Sequence, residues 1–556
     1  VNAAVNLLIR AGLKLAEFRE QRPFLRATRD PDRTQQALLM RILQRHRHTR
    51  FGQAHGFHSI RDTNDFAARV PIADYEDLRP WIDRQENDGN PELVPEKPRL
   101  YARTSGSTGT PKLIPVSQDT IARHHRDQKI FSCCHARAVP GLFDGSILAF
   151  VSPAIEGHLP SGTAYGSMSG LIYGSMPRLM RRKYLVPAEV FALSEYDLKY
   201  LLIATFAAAD PSVTYVAAAN PSSFLKLARV IWSEADTIVE AVESGELPGG
   251  EALDDDAGRR IRAAFRGNPK RARELRVLFA GEPTINAADL WPDLKAVSCW
   301  REGSCRVLLP ELQKLLPDGL PVLEMGYLSS ECRGSLPVSS LDHREVPTFH
   351  ENYFEFVERG DWEAGCTETS TLTELECGKI YHVIVTTQDG LYRYFMNDLV
   401  MVDGWFNRTP TIHFLEKGTG VTSITGEKLH EGQVIAAVAD LVRTRQGFPE
   451  FFILVADPER QRYLFYAEEH GSLSDTLAAE LDAALAERNL EYESKRASGR
   501  LHPIEVRRLQ AGTGEAYKAH LIAKGQREAQ FKFLRLQSRD KLNYELDQHL
   551  HLHTKA

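Results

Sequence analysis

Apolar residues recur at helical spacing through the first hundred positions. In DRTQQALLMRILQRHR, Leu38, Leu39, Ile42 and Leu43 share one face of a 3.6-residue repeat, and PIADYEDLRPWIDR reads as a turn followed by a helix. The opening VNAAVNLLIRAGLKL reads as an amphipathic helix, since Arg10 and Lys14 interrupt it before it reaches the form of a signal peptide or a membrane span. From Tyr101 the period changes. SILAFVSP, VTYVAAA, RVLFAGEP and KAVSCW read as strands alternating with helical stretches, the pattern of an α/β domain.

Between Gly157 and Pro177 the chain has no Asp, Glu, Lys or Arg, yet its Gly, Ser and Pro favour loops over a spanning helix. The acidic, Gly-rich ESGELPGGEALDDDAGRR, ending at Arg260, predicts a surface loop. YFEFVE, KIYHVIVTT and GLYRYF then alternate apolar and polar positions, and Asp389-Gly390 between the last two predicts a hairpin turn. After Phe414 four glycines occur in EKGTGVTSITGEKLHEGQ. FFILVAD and YLFYAEE follow as strands around amphipathic helices such as LSDTLAAELDAALAERN. The expected organisation is a large α/β N-terminal domain over 1–416, with β-sheets flanked by helices, and a smaller α+β domain over 417–556. No repeat of solenoid spacing is present, and the tail HLHLHTKA reads as a frayed terminus.

At 556 residues, 43% hydrophobic and 26% charged, the chain is long enough for a sizeable core and is no disulfide-stapled module. Lys and Arg number 68 against 74 Asp and Glu, a formal charge of -6, which argues against nucleic acid as a partner. Seven cysteines without paired C-x-x-C spacing fit a reducing cytoplasm. A cytoplasmic monomer or weak oligomer without a membrane anchor is expected.

The richest segment for chemistry is Thr104 to Lys112, TSGSTGTPK, after the strand-like RLYAR. Glycines let backbone amides approach a phosphate, hydroxyls add donors and Lys112 adds positive charge. It is not a Walker A loop, because proline precedes the lysine and leucine follows it. Tyr327-Leu328-Ser329-Ser330-Glu331 comes later, after LPVLEMG, and then Tyr392 to Asp398, YRYFMND. Glu331 and Asp398 are carboxylates of the kinds that a nucleotide site needs, one for magnesium and one for ribose hydroxyls. No G-x-S-x-G elbow or H-E-x-x-H helix supports a hydrolase.

These three motifs, in this order, resemble the adenylate-forming superfamily. LWPDLKAVSCW, GLPVLEMGYLSSEC, ENYFEFVE and GLYRYFMNDLV narrow the resemblance to the Gretchen Hagen family of acyl acid amido synthetases, from about Tyr101 to the C-terminus. The resemblance implies a phosphate loop formed by Ser105, Gly106, Ser107, Thr108, Gly109, Thr110 and Lys112. It implies adenylate contacts from Tyr327, Ser329, Ser330 and Arg393, magnesium at Glu331 and ribose at Asp398. Gly281 and Glu282, in AGEPT, stand where the superfamily lines its adenine pocket. GQREAQFKFLRL resembles the C-terminal lysine motif, making Lys532 the catalytic lysine beside Lys112 and Glu331, with Lys518 and Lys524 as rivals. Glu416-Lys417-Gly418 resembles the hinge on which a mobile small domain turns.

Two departures stand out. Asn397 replaces the glycine that usually precedes the motif aspartate, and asparagine is the residue best able to keep a left-handed backbone there. Leu328 replaces a small residue, which would narrow the pocket beside the acyl carboxylate. The activity implied is ATP- and Mg2+-dependent adenylation of a small carboxylic acid, followed by transfer to an amino acid. Transfer to coenzyme A, or a binding protein that kept the pocket, remain open alternatives. Ser161 to Gly170 and Val213 to Ser223 are expected to help wall the acyl pocket.

Overall fold

Local signals start and stop the N-terminal helices. Pro31 opens Pro31–His46, whose buried face holds Leu38, Leu39, Ile42 and Leu43 as the periodicity predicts. Asp74 and Asp77 form a reciprocal capping box at the start of Tyr75–Asp88, and Gly89, with φ of 67°, ends it. The structure, a computed structural model, describes residues 3–104, 112–281, 286–418, 420–444, 449, 451–468, 476–524, 526 and 531–551. No helix among them is long and apolar enough to cross a membrane.

The chain forms two compact units. The first comprises 1–300, 312–396 and 400–413; the second comprises 301–311, 397–399 and 414–556. In the first, Ser146–Ala149, Val213–Ala217, Ala296–Cys299 and Val322–Glu324 make a parallel sheet in that order. Its core includes Ile147, Tyr215, Ala296 and Leu323. A second sheet runs Lys112–Val116, Leu100–Thr104, Ala164–Gly166, Gly157–His158. Tyr353–Glu358, Ile380–Thr386, Tyr394–Phe406 and Thr409–Lys417 form a third, and the last two strands carry residues of both units.

The second unit illustrates strand alternation. Phe452, Leu454 and Ala456 enter one core with helices Glu431–Thr444 and Leu477–Ala486. Phe451, Ile453 and Val455 enter the opposite core with Tyr517 and Leu521 of Thr513–Ala523. Successive side chains thus serve the two faces of one sheet, ordered Glu505–Leu509, Arg462–Glu468, Phe452–Asp457, Leu536–Ser538.

Two readings from the sequence are corrected. RVLFAGEP does not begin with a strand, because Arg276 to Phe279 end the helix Pro269–Phe279. Asn268 caps it through the Arg271 amide at 3.1 Å, Ala272 and Leu275 face inward, and Val277 is 78% exposed. The acidic run through Arg260 is not all loop, since Asp255 accepts a hydrogen bond from the Gly258 amide at 2.6 Å and starts the helix Asp256–Ala264. Both misreadings come from capping residues outweighing composition.

Two buried carboxylates hold the segments that bear the motifs. Asp389, in the turn between Ile380–Thr386 and Tyr394–Phe406, accepts hydrogen bonds from Ser117 Oγ at 2.8 Å, from Thr120 and from the Arg123 guanidinium. Ser117 and Thr120 cap the helix Gln118–Ala138, which directly follows strand Lys112–Val116. Gly390, with φ of 93°, completes the turn against Leu93, so the predicted Asp-Gly signal marks it. Glu345 accepts a hydrogen bond from Ser335 Oγ and packs against Gly326, where a Cβ would stand 3.1 Å from its Oε2. Burial, only partly offset by Ser335 and Arg333, pushes its carboxyl up to about 7.

All six tryptophans belong to the first unit, so their fluorescence reports its unfolding alone. Asp389→Ala removes the nearer of the two buried carboxylates that face the Arg123 guanidinium, and that unit should lose about 3 kcal/mol in denaturant titrations. Glu345 works in the opposite sense to a salt-bridged acid. Its folded form holds the proton more tightly than the unfolded chain, so its contribution is fully present below pH 4.5 and is lost as pH rises to about 7. Relative to Glu345→Gln, the native protein should lose on the order of 3 kcal/mol across that window; parallel stability curves would refute the shift.

Candidate functional site

Strand Lys112–Val116 delivers Lys112 between two tyrosine rings. Its Nζ lies 5.5 Å from the centroid of Tyr75 and 5.8 Å from that of Tyr394, and it donates to the Tyr394 hydroxyl at 3.1 Å. That hydroxyl donates in turn to Glu331 Oε1 at 3.5 Å. One residue from each of the three motifs therefore meets at a single phenol. Tyr75 also grips the strand: its hydroxyl accepts from the Leu113 amide at 2.6 Å and donates to the Leu113 carbonyl at 3.3 Å. Burial pushes that phenol up to about 12, so it stays protonated as a donor.

Backbone pairing explains why both rings face one ammonium. Ala73 bridges Tyr394 in parallel, donating to the Arg393 carbonyl at 3.0 Å and accepting from the Phe395 amide at 2.8 Å. Tyr75 opens its helix two residues beyond that bridge. Neither Tyr75 nor the bridging role of Tyr394 was expected. Tyr394 lies inside a motif already singled out, whereas no spacing in the sequence connects Tyr75 to it.

The second motif forms a tight hairpin. Tyr327 is buried, and its carbonyl accepts from the Gly334 amide at 2.7 Å. A Cβ at Gly334 would stand 2.1 Å from the Tyr327 ring, so this position requires glycine. Ser329 Oγ donates to the Cys332 carbonyl at 3.0 Å and accepts from the Cys332 amide at 3.1 Å, closing the turn. Ser330 and Glu331 sit half-buried at its tip, where Glu331 presents a hard carboxylate oxygen beside the phenol.

In the third motif Arg393 and Asn397 both have left-handed backbones, with φ of 43° and 52°. Arg393 is buried. Its Nε donates to both Glu355 oxygens, at 3.1 and 3.0 Å, its Nη1 to the carbonyls of Ala67 and Val70 at 2.9 Å each, and its Nη2 to Thr369. The guanidinium is thus committed to protein partners. Asp398 is buried and pairs with Lys417 Nζ at 2.5 Å, while the Gly418 amide donates to the Asn397 carbonyl at 2.9 Å.

Within the second unit, Lys532 is half-buried with its Nζ 4.6 Å from the Phe414 ring centroid. Its rivals differ in setting: Lys518 is buried against Phe531, and Lys524 is exposed. Glu431, whose burial pushes its carboxyl up to about 7, accepts from the Arg535 amide. Gly281 is exposed just after the helix Pro269–Phe279. Ser105, Gly106, Ser107, Thr108, Gly109, Thr110 and Glu282 lie outside the described residues. Of the segments expected to wall an acyl pocket, Ala164–Gly166 pairs with Leu100–Thr104, and Val213–Ala217 lies in the parallel sheet.

Models of the GH3 family match three successive regions: its N-terminal domain at residues 20–322, its central domain at 346–417 and its C-terminal domain at 432–541. Indole-3-acetic acid-amido synthetase GH3.8 of Oryza sativa subsp. indica is 27% identical over 537 residues, spanning 91% of this chain and 88% of that one. Indole-3-acetic acid-amido synthetase GH3.4 of Arabidopsis thaliana is 25% identical over 536 residues, spanning 91% and 89%. Among solved structures, the GH3.15 acyl acid amido synthetase matches with a TM-score of 0.83 at 21% identity, covering 98% of this chain and 96% of the other. A 2-hydroxyisobutyryl-CoA ligase in the postadenylation state matches with a TM-score of 0.52 at 14% identity, covering 92% of this chain and 90% of the other, a likeness of fold. With three consecutive family domains matched over most of its length, the chain belongs to the GH3 family.

Proposed function

We propose that this protein adenylates a small carboxylic acid with ATP and passes the acyl group to an amino acid. A carboxylate oxygen of the acid attacks the α-phosphorus of ATP, and pyrophosphate leaves. The amine of the amino acid then attacks the acyl carbon, forming the amide while AMP leaves with the bonding pair. The observation that carries this reading is the convergence of Lys112, Tyr394 and Glu331, a cation and a carboxylate held on one hydroxyl at the end of the Ser/Thr/Gly loop. The names of the relatives, indole-3-acetic acid-amido synthetases, favour the amide over a thioester.

In this reading Lys112 meets the phosphates and Asp398 accepts from the ribose hydroxyls. Glu331, with hard oxygen donors, would hold Mg2+, which supplies charge neutralisation on the phosphates. Arg393 keeps the motif turn in shape instead of touching nucleotide, because its donors are spent on Glu355, Thr369 and two carbonyls. Lys532 meets the charge that develops between carboxylate and α-phosphate, carried there by motion about Glu416–Gly418. No disulfide joins the seven cysteines, which suits a cytoplasmic enzyme.

The test is mass spectrometry of the purified protein with ATP, Mg2+, a panel of carboxylic acids, mixed amino acids and coenzyme A. An ATP-dependent acyl-amino acid is expected, and a thioester in its place would move the protein to the coenzyme A branch. Lys532→Ala should cut acid-dependent ATP–pyrophosphate exchange at least about a hundredfold with nucleotide binding retained; equal loss of both would contradict its role. Tyr394→Phe removes the hydroxyl between Lys112 and Glu331 and should lower the same exchange about tenfold or more, with tryptophan-monitored stability little changed.

A further inference from the structure

The helix Ala3–Ala16 carries apolar residues on two faces. Its inner face is fixed to the protein: Ile9 and Ala16 are buried, and Asn6 donates to the Asp144 carbonyl at 2.8 Å and accepts from Lys183 Nζ at 2.5 Å. Arg10 pairs with Asp144 at 2.5 Å, and the Cys133 thiol donates to the Leu13 carbonyl at 3.3 Å. These bonds set the rotation of the helix about its axis and decide what faces outward.

The outward side is apolar. Leu7, Leu8 and Leu15 are 70%, 58% and 50% exposed, and Phe18, in the π-helical turn Glu17–Gln21, is 66% exposed. On a helix of 3.6 residues per turn the three leucines fall within an arc of about 100°. Only four other large apolar residues are exposed to this degree among the described residues, and those are scattered along the chain. A contiguous exposed apolar ridge marks a docking surface.

Charge identifies the occupant. Lys14 and Arg19 flank the ridge, both exposed and without an ion pair among the described residues. The nearby carboxylates are engaged elsewhere, Glu17 with Arg22 and Glu20 with Lys129. A second copy of this chain fits poorly, since a two-fold contact through the ridge would bring Lys14 and Arg19 near their own counterparts. An apolar ridge rimmed by basic residues instead matches an anionic lipid surface, where apolar side chains enter the acyl boundary and cations meet headgroup phosphates.

We infer that this face is a peripheral docking site for anionic bilayers, in which Leu7, Leu8, Leu15 and Phe18 insert while Lys14 and Arg19 meet phosphates. It departs from the expectation that no membrane is involved, and it does not depend on the proposed activity. The experiment is co-sedimentation of the full chain with phosphatidylcholine vesicles, with or without phosphatidylglycerol, at low and physiological salt. Binding should require the anionic lipid and weaken with salt. It should fall about tenfold or more in Lys14→Glu/Arg19→Glu, and also in Leu8→Glu/Phe18→Glu, with tryptophan-monitored stability unchanged in both variants. Absence of binding, equal binding to phosphatidylcholine alone, or binding that survives both double substitutions would overturn it. So would a concentration-dependent dimer in analytical ultracentrifugation that Leu8→Glu/Phe18→Glu abolishes.

Discussion

Asp389 accepts hydrogen bonds from Ser117, from Thr120 and from Arg123, and through these bonds two distant stretches of chain become one support. Ser117 and Thr120 cap the helix that follows the Lys112 strand, and Asp389 sits in the turn that leads to Tyr392 and Asp398. A carboxylate taken out of water must be matched by donors and counter-charge, or the turn could not be buried. Arg123 also approaches Glu351, which Arg126 holds at 2.9 Å, so the junction extends into an alternating array of charges. The lysine of one motif and the tyrosine of another reach the same place because this junction fixes the strands that carry them.

The layout of charge within the site follows from that support. A lysine and a glutamate left to themselves would form a direct ion pair and mask each other's charge. Here a phenol stands between them, accepting from Lys112 and donating to Glu331. The aromatic faces of Tyr75 and Tyr394 stabilise the ammonium without neutralising it, an attraction that leaves its full charge available to an anion.

Much of the scaffold was legible in the sequence because local rules and tertiary packing agree there. Leu38 to Leu43, the alternation in FFILVAD and the Asp389-Gly390 turn each satisfy a short-range pattern that the fold also needs. Local rules misled where two of them competed. Arg276 to Phe279 carry a strand-like composition, but the Asn268 cap and Pro269 commit the segment to a helix. Motif chemistry singled out Lys112 and Glu331, which the structure brings to one phenol, whereas Tyr75 was invisible because its part depends on the Ala73 to Tyr394 bridge, a pairing across more than three hundred residues. Arg393 shows the converse: a charged residue inside a motif read as nucleotide-binding, whose charge answers a buried glutamate.

The third motif also explains why the chain leaves the site as it does. Arg393 and Asn397, both left-handed, bracket Tyr394, Phe395 and Met396, the second of them inside the strand that runs on to Phe406. Asparagine tolerates that conformation better than other residues with a side chain, so the substitution for glycine keeps the geometry at modest cost. Beyond it, Asp398 is buried and needs a counter-charge, which Lys417 supplies, while the Gly418 amide binds the Asn397 carbonyl. Lys417 and Gly418 are therefore more than a spacer. The carboxylate assigned to nucleotide recognition and the residues assigned to the hinge share one ion pair, so a change of either charge is felt at both.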